Sequence, residues 1–220
     1  MDNIKINRLS SEKIWDYENA YYWFSDNSRL LKILAHFELF KKTISVKGDI
    51  LEFGVCKGSS FIRTLTFLKN LKLTKKIYGF DTFSSFPSKN LSLLSDKKFV
   101  KKFNINSKAI SKHKLEKILK YKNFTNYELI EGNVFSTLDP FLKKHSKKKF
   151  SSILMDLDVM EPTLFVLEKV FPLLQKKGII ILDNFNVIKG ETKAINLFIK
   201  KYKLSLLKVN FSKNFYYLVK

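Results

Sequence analysis

A single cysteine, Cys56, among 220 residues excludes any intramolecular disulfide, and a chain of this kind is expected in a reducing cytoplasm. No run approaches the ~18 uninterrupted apolar residues that a membrane span needs. The opening MDNIKINRLS has no apolar signal core, so a soluble protein is expected. Histidine is scarce: His36, His113 and His145 stand far apart without metal-ligand spacing, which argues against a histidine-based metal centre. Arginine is nearly missing. Lys and Arg number 41 against 20 Asp and Glu, a net charge of +21, yet only Arg8, Arg29 and Arg63 are arginines. Bidentate grips on phosphates and base edges favour arginine. The lysines spread along the whole chain, so the charge reads as a solvated surface and no nucleic-acid partner is expected. Internal repeats and low-complexity linkers are absent, and the length suits one well-buried domain.

What the chain does have is five short apolar runs, each ending on a carboxylate or amide. DILEFG carries Glu52, KIYGFD ends at Asp81, and YELIEGN ends at Asn133; SILMDLD holds Asp156 and Asp158, and GIIILDN ends at Asp183 and Asn184. Such runs, rich in β-branched and aromatic residues and spaced by helix-length segments, predict parallel strands buried on both faces. Helices are predicted within residues 10 to 46, where Asp26 is placed to cap the second, and after Gly58, where Phe61, Leu65 and Leu68 recur at helical spacing. Further helices are expected from about His113 to Tyr121, after Pro162, and from Gly190 to Tyr202. Gln175 to Gly178 read as a turn into the fifth strand, and KLSLLKV with NFYYLV as a terminal antiparallel hairpin. The alternation of strand and helix defines an α/β class, a doubly wound sheet whose ligands bind outside the carboxyl ends of the strands. The long aromatic, Ser-rich stretch from Thr82 to about Lys112 is either a surface excursion or a binding loop at that edge.

The polar tips carry the chemistry. The first loop, Glu52-Phe53-Gly54-Val55-Cys56-Lys57-Gly58-Ser59-Ser60, is not the dinucleotide fingerprint, and its acidic start would repel a pyrophosphate. An acid there favours a cationic, hydroxyl-rich ligand, and S-adenosylmethionine is both; the glycines also read as simple packing positions. Asp81, at the end of the next strand, is placed to accept bonds from ribose hydroxyls. Asn133 reads either as a contact near the adenine or as a turn residue. If the fourth and fifth strands are neighbours, their tips stand roughly 4.8 Å apart. Asp156, Asp183 and the Asn184 carbonyl are then three oxygen ligands for Mg²⁺ or another divalent cation. Such an ion acidifies a substrate hydroxyl, and Asp158 is the candidate base that takes its proton. The alternatives are plain: Asp156 capping the following helix, and Asp183-Asn184 forming a strand-to-loop turn.

The same residues resemble the macrocin O-methyltransferase family. The resemblance runs from about Tyr17 to Phe198, through Tyr17-Glu18-Asn19, Ser28-Arg29-Leu30, the Glu52 to Ser60 loop, and Gly79-Phe80-Asp81-Thr82-Phe83 with Phe86-Pro87. It continues in Asp156-Leu157-Asp158 with Glu161-Pro162-Thr163, Ile181-Leu182-Asp183-Asn184-Phe185, and Gly190-Glu191-Thr192-Lys193-Ala194. It implies a Rossmann-like class I methyltransferase sheet of seven strands, with S-adenosylmethionine over the first two tips, contacted by Glu52, Gly54, Gly58, Ser59, Ser60, Asp81, Thr82, Asn133 and Arg29. It also implies Mg²⁺ on the aspartates of the fourth and fifth strands, Asp158 as base with Asp156 beside it, and a sugar or glycan hydroxyl as acceptor. The family's fifth tip is typically Asp-Asp-Tyr, whereas this chain has Asp183-Asn184-Phe185, and Met160 stands where the family usually has tyrosine. Residues 1–46, with Arg29 and the aromatic run Tyr21 to Phe24, are expected to form a helical cover over a methyltransferase domain at 47–220. Two other functions stay open at this point, an RNA or DNA methyltransferase and a non-catalytic module that keeps the fold; a homo-oligomer is open as well.

Overall fold

The computed structural model describes residues 3–220. A two-residue ribbon, Lys5–Ile6 against Leu9–Ser10, precedes α1 (Ile14–Phe24) and α2 (Asn27–Lys42). The Asp26 carboxylate accepts the Ser28 N–H at 2.8 Å, capping α2 as its sequence position requires. α1 buries none of its side chains, and Trp15, Trp23 and Phe24 are exposed on it.

Seven strands follow: β1 (Asp49–Phe53), β2 (Ile77–Asp81), β3 (Tyr127–Glu131), β4 (Phe150–Met155), β5 (Leu174–Leu182), β6 (Leu207–Lys208) and β7 (Tyr216–Val219). They lie in the order β3-β2-β1-β4-β5-β7-β6. The first five are parallel, and β7 runs antiparallel between β5 and β6, as the terminal hairpin was expected to do. Connections leave β1 in one direction for β2 and β3 and in the other for β4 and β5, so a crevice opens beyond the carboxyl ends of β1 and β4.

The parity of each strand decides which helix a residue meets. Leu51, Phe53, Ile153, Met155, Ile180 and Leu182 face one layer, built from α6 (Val134–Lys144), α7 (Met160–Val170) and α8 (Lys189–Tyr202). Ile50 and Ile77 face the other way, onto α3 (Ser59–Asn70) and α5 (Lys112–Tyr121), while Leu154, Ile179 and Ile181 meet Ala35 and Leu39 of α2. Phe61, Leu65 and Leu68 of α3 are buried as their spacing requires, each contributing about 1.5–3 kcal/mol by burial. Because side chains alternate with period two, Glu52 falls on the same side as Ile50, and Asp156 and Asp183 extend the side of Leu154 and Ile181.

Two expectations need correction. Gln175 to Gly178 are not a turn ahead of the fifth strand but lie within β5, as an excursion that carries the register from Phe150↔Leu174 to Ser152↔Ile179. Lys177 adopts φ 65°, and its N–H is satisfied by the Lys220 carbonyl at 2.8 Å, which is why the strand survives the interruption. The stretch after Thr82 is not wholly loop: α4 (Leu94–Asn106) forms in it, around a cluster of Phe86, Phe99 and Phe103. Among the described residues no helix is long and apolar enough to cross a membrane.

Candidate active site

A cleft of about 960 Å³, open solvent at its mouth included, lies beyond the ends of β1 to β4. Gly54, Asp81, Thr82, Asn133, Asp156 and Asp158 line it, and Phe86, Leu91 and Phe103 from the segment after β2 form one apolar wall. Asp81 fastens the two loops at its floor. Its Oδ2 accepts the Cys56 N–H and its Oδ1 the Phe83 N–H, both at 2.7 Å, and both donor residues are left-handed, with φ 53° and 51°. Burial raises the Asp81 carboxyl, and the backbone donors work against that rise. Asn133 caps α6, its Oδ1 accepting the Phe135 N–H at 3.1 Å, so it is a cap and a cleft residue at once.

Gly54 has φ 92°, and a Cβ built there would sit 1.8 Å from the carbonyl oxygen of Asp156. The β1 loop therefore lies directly on the β4 tip, a contact that only glycine permits. Glu52 is fully buried behind this loop, and burial pushes its carboxyl up to about 8 against the opposing Ser60 hydrogen bond. Ser60 Oγ donates to its Oε1 at 2.6 Å, while its Oε2 has no partner. An orphaned acceptor of this kind costs about 1–3 kcal/mol unless a ligand donor reaches it.

Across the sheet, four carboxylates and one amide converge. Asp156 follows β4 and Asp183 follows β5, the Asp183 N–H continuing the ladder onto the Met155 carbonyl at 3.1 Å. Asn184 Nδ2 donates to Asp156 Oδ1 at 2.7 Å and to Asp158 Oδ1 at 2.8 Å. Asp158 is left-handed, φ 63°, and its N–H donates to Glu191 Oε2 at 2.9 Å; the Asn184 N–H donates to Glu191 Oε1 at 3.2 Å. The carboxylates of Asp156, Asp158 and Glu191 each offer an oxygen within 4.8 Å of the others. Asp183 instead takes an ion pair from Lys32 of α2, at 2.6 Å.

Burial, reinforced by like charge, favours the protonated form of Asp156, Asp158 and Glu191. Asp156 is raised well above the usual carboxylate range by burial and then by the charges of Asp183, Asp158 and Glu191. Asp158 is pushed up to about 7 by burial and by Asp183, against the Asn184 hydrogen bond and Lys32. Burial and the Asp158 charge push Glu191 up to about 8, against its two backbone donors.

Of the residues singled out from sequence, Gly54, Asp81, Thr82, Asn133, Asp156 and Asp158 line the cleft, Glu52 and Ser60 pair behind the β1 loop, and Asp183 and Asn184 stand at the β5 tip, Asn184 bonded to Asp156. Gly58 is left-handed at the start of α3, where a Cβ would meet Leu115 at 2.6 Å. Ser59 is exposed on the first turn of α3, and Arg29 is exposed on α2 and does not line the cleft. The fold brings the expected set Asp156, Asp183 and Asn184 together, with Lys32 paired to Asp183, and adds Asp158 and Glu191 beside Asp156. Glu191 carried a signal that went unread. It lies three, four and seven residues before Ala194, Ile195 and Phe198, on the buried face of α8, where an acid is out of place.

An acidic tip on β1, a glycine turn onto the next helix, a carboxylate ending β2 and the strand order found here define a class I methyltransferase. The chain belongs to the macrocin O-methyltransferase family, TylF, whose profile matches residues 24–214. Among solved structures it is similar to the calicheamicin methyltransferase CalS11, with a TM-score of 0.76 and 23% identity over 97% of this chain and 86% of that one. The O-methyltransferase NovP follows at 0.72 and 17%, over 88% and 79%. An rRNA methylase from Streptococcus thermophilus gives 0.51 and 16%, over 85% and 94%, and shares the fold. No curated protein matches the chain.

Proposed function

We propose that this enzyme moves the methyl group of S-adenosylmethionine to a hydroxyl of a sugar, with a divalent cation such as Mg²⁺ at the β4–β5 tips. The observation that carries the reading is the trio of Asp156, Asp158 and Glu191, of which Asp156 and Asp158 line the same cleft as Gly54. Family membership supports O-methyl transfer, and a CalS11 structure described as a TDP-rhamnose 3'-O-methyltransferase supports a sugar acceptor.

The residues present fit both groups. Glu52 has a buried carboxyl oxygen without a partner, and Gly54 lines the cleft without a side chain. The acidic trio is dense in hard oxygens, and the cation beside it, Lys32, pairs with Asp183 and not with the trio, which suits a small divalent cation. Asp156, Asp158 and Glu191 would hold it, joined by Asp183 if Lys32 withdraws, and by Asn184 if its amide turns to present the carbonyl oxygen. When bound, the ion supplies Lewis acidity that makes a nearby hydroxyl easier to ionise. Asp158 is the base: its carboxylate borders the cleft, and its pKa, close to neutrality, suits proton transfer. Phe86, Leu91 and Phe103 keep water from one side of the transfer. Residues 1–46 as cover and 47–220 as methyltransferase domain belong to the same proposal.

Chelation tests the metal. EDTA is expected to abolish methyl transfer and added Mg²⁺ to restore it, measured by mass spectrometry of sugar-nucleotide and glycan acceptors; full turnover in the chelator would remove the ion from the mechanism. Calorimetry with S-adenosylmethionine separates an enzyme from a binding module that keeps only the fold, since the latter gives no heat.

A further inference from the structure

The lysines run along the whole chain in sequence, but the fold sorts them in space. Because β1 to β5 are parallel, the loops that enter these strands gather on the edge opposite the cleft. Backbone bonds hold the loops side by side: the Asp49 N–H donates to the Lys149 carbonyl at 3.1 Å, the Ile50 N–H to that of Lys76 at 2.9 Å, and the Ile77 N–H to that of Asn126 at 3.1 Å. The loops entering β1 to β4, residues 43–48, 71–76, 122–126 and 145–149, contain no Asp or Glu. The acids met just inside the strands are already taken, Asp49 by Lys148 at 2.5 Å and Glu128 by Lys76 and Lys144 at 2.8 and 3.7 Å. The carboxyl edge is the reverse, with Asp81, Glu131, Asp156 and Asp183 at its strand ends.

The amino edge therefore keeps charge without a counter-charge. Lys47, Lys72, Lys147 and Lys149 are exposed, and among the described residues no ion pair engages them. Lysines in the last turn of a helix answer to its dipole, but these four stand outside the helices. Like charges are crowded there: burial and then the charge of Lys149 hold the Lys220 ammonium below its ordinary value. The four strand entrances span about 14 Å along the sheet, and last-turn lysines of α2, α3 and α6 broaden the face on both sides of it. Charge laid out in two dimensions matches a plane of anions better than the single track of a nucleic-acid strand. Lysines supply point charges without the planar fork that reads phosphates and bases, and Leu71, exposed among them, adds apolar contact. We propose that the amino-end face of the sheet docks on a lipid bilayer rich in anionic headgroups. Docked in this way, the enzyme holds its cleft open on the side away from the bilayer. The inference goes beyond the methyl-transfer reading and does not depend on it.

The test uses the full chain and co-sedimentation with vesicles of equal parts phosphatidylglycerol and phosphatidylcholine at about 0.1 M salt. Wild type is expected to bind them, to ignore vesicles of phosphatidylcholine alone, and to be released at about 1 M salt. Lys47→Gln, Lys72→Gln, Lys147→Gln and Lys149→Gln combined should lower the partition coefficient by about 10²- to 10³-fold, roughly five-fold for each charge removed. The same four positions changed to Arg should bind within a few-fold of wild type. As a control, Lys97, Lys98, Lys101 and Lys102 of α4, the helix beside the cleft, are changed to Gln, and most of the binding should remain. Equal loss in the two Gln variants would show that net charge alone drives association, and would overturn the assignment of this face. Failure of wild type to bind the anionic vesicles would overturn it outright. Release from the vesicles by poly(U) RNA at equal phosphate concentration would overturn it in favour of a nucleic-acid partner.

Discussion

Asp158→Asn is expected to lower kcat by about 10² to 10⁴ with the fold intact. The substitution is unusually clean. Asparagine is among the few residues that adopt left-handed backbone readily, so φ 63° at this position is kept. The asparagine Oδ1 can still accept from Asn184 Nδ2, and the backbone N–H still reaches Glu191. What disappears is the ability to take a proton, together with one negative charge toward the cation. In the metal-free protein Asp158 is held near 7, and a bound cation lowers it, so kcat/KM should rise with pH to a plateau that begins below 7. The variant should lose that rise along with the rate. Turnover within a few-fold of wild type, or an unchanged pH profile, would mean that some other group accepts the proton.

The strand tips were readable because parity and topology are local rules. A buried parallel strand announces itself as a short apolar run, and the residue that ends it must face the ligand edge. Once β4 and β5 are neighbours, period two puts Asp156 and Asp183 on one side of the sheet without further information. The contacts that modify this picture come from helix packing and leave no mark at short range. Lys32 reaches Asp183 across 151 residues because α2 lies over Leu154, Ile179 and Ile181. Glu191 reaches Asp158 across 33 because α8 covers the opposite face. The aromatic stretch after β2 was ambiguous for a similar reason. Its helix α4 is weakly amphipathic, and it is held by Asp96, which is buried and accepts the Met160 N–H at 2.8 Å. A Cβ on Gly190 would strike that carboxylate at 2.3 Å, so the glycine that opens α8 is also what lets α4 close against it.

Glu191→Gln should be the most informative change outside the proposed base, because Glu191 joins the two tip loops. Each of its oxygens accepts one backbone N–H, from Asp158 and from Asn184. Glutamine can satisfy one of them, but its amide then sets a donor against the other, leaving a buried N–H unmet at a cost of about 1–3 kcal/mol. The sign of the pH dependence separates this from ordinary packing loss. The folded-state pKa of Glu191, about 8, lies above the 4.5 of an unburied glutamate. Its contribution to stability is therefore complete below about 4.5 and is lost as pH rises through about 8. Glutamine carries no such titration. In EDTA, thermal unfolding should show the variant furthest below wild type near pH 5, with the gap closing toward pH 8 to 9. Mg²⁺ should then stabilise wild type increasingly as pH rises, because the ion competes with protons for the same oxygens, and should stabilise the variant less. A gap that stays constant from pH 5 to 9 would show that Glu191 is ionised throughout, and an equal Mg²⁺ shift in both proteins would place the ion away from α8.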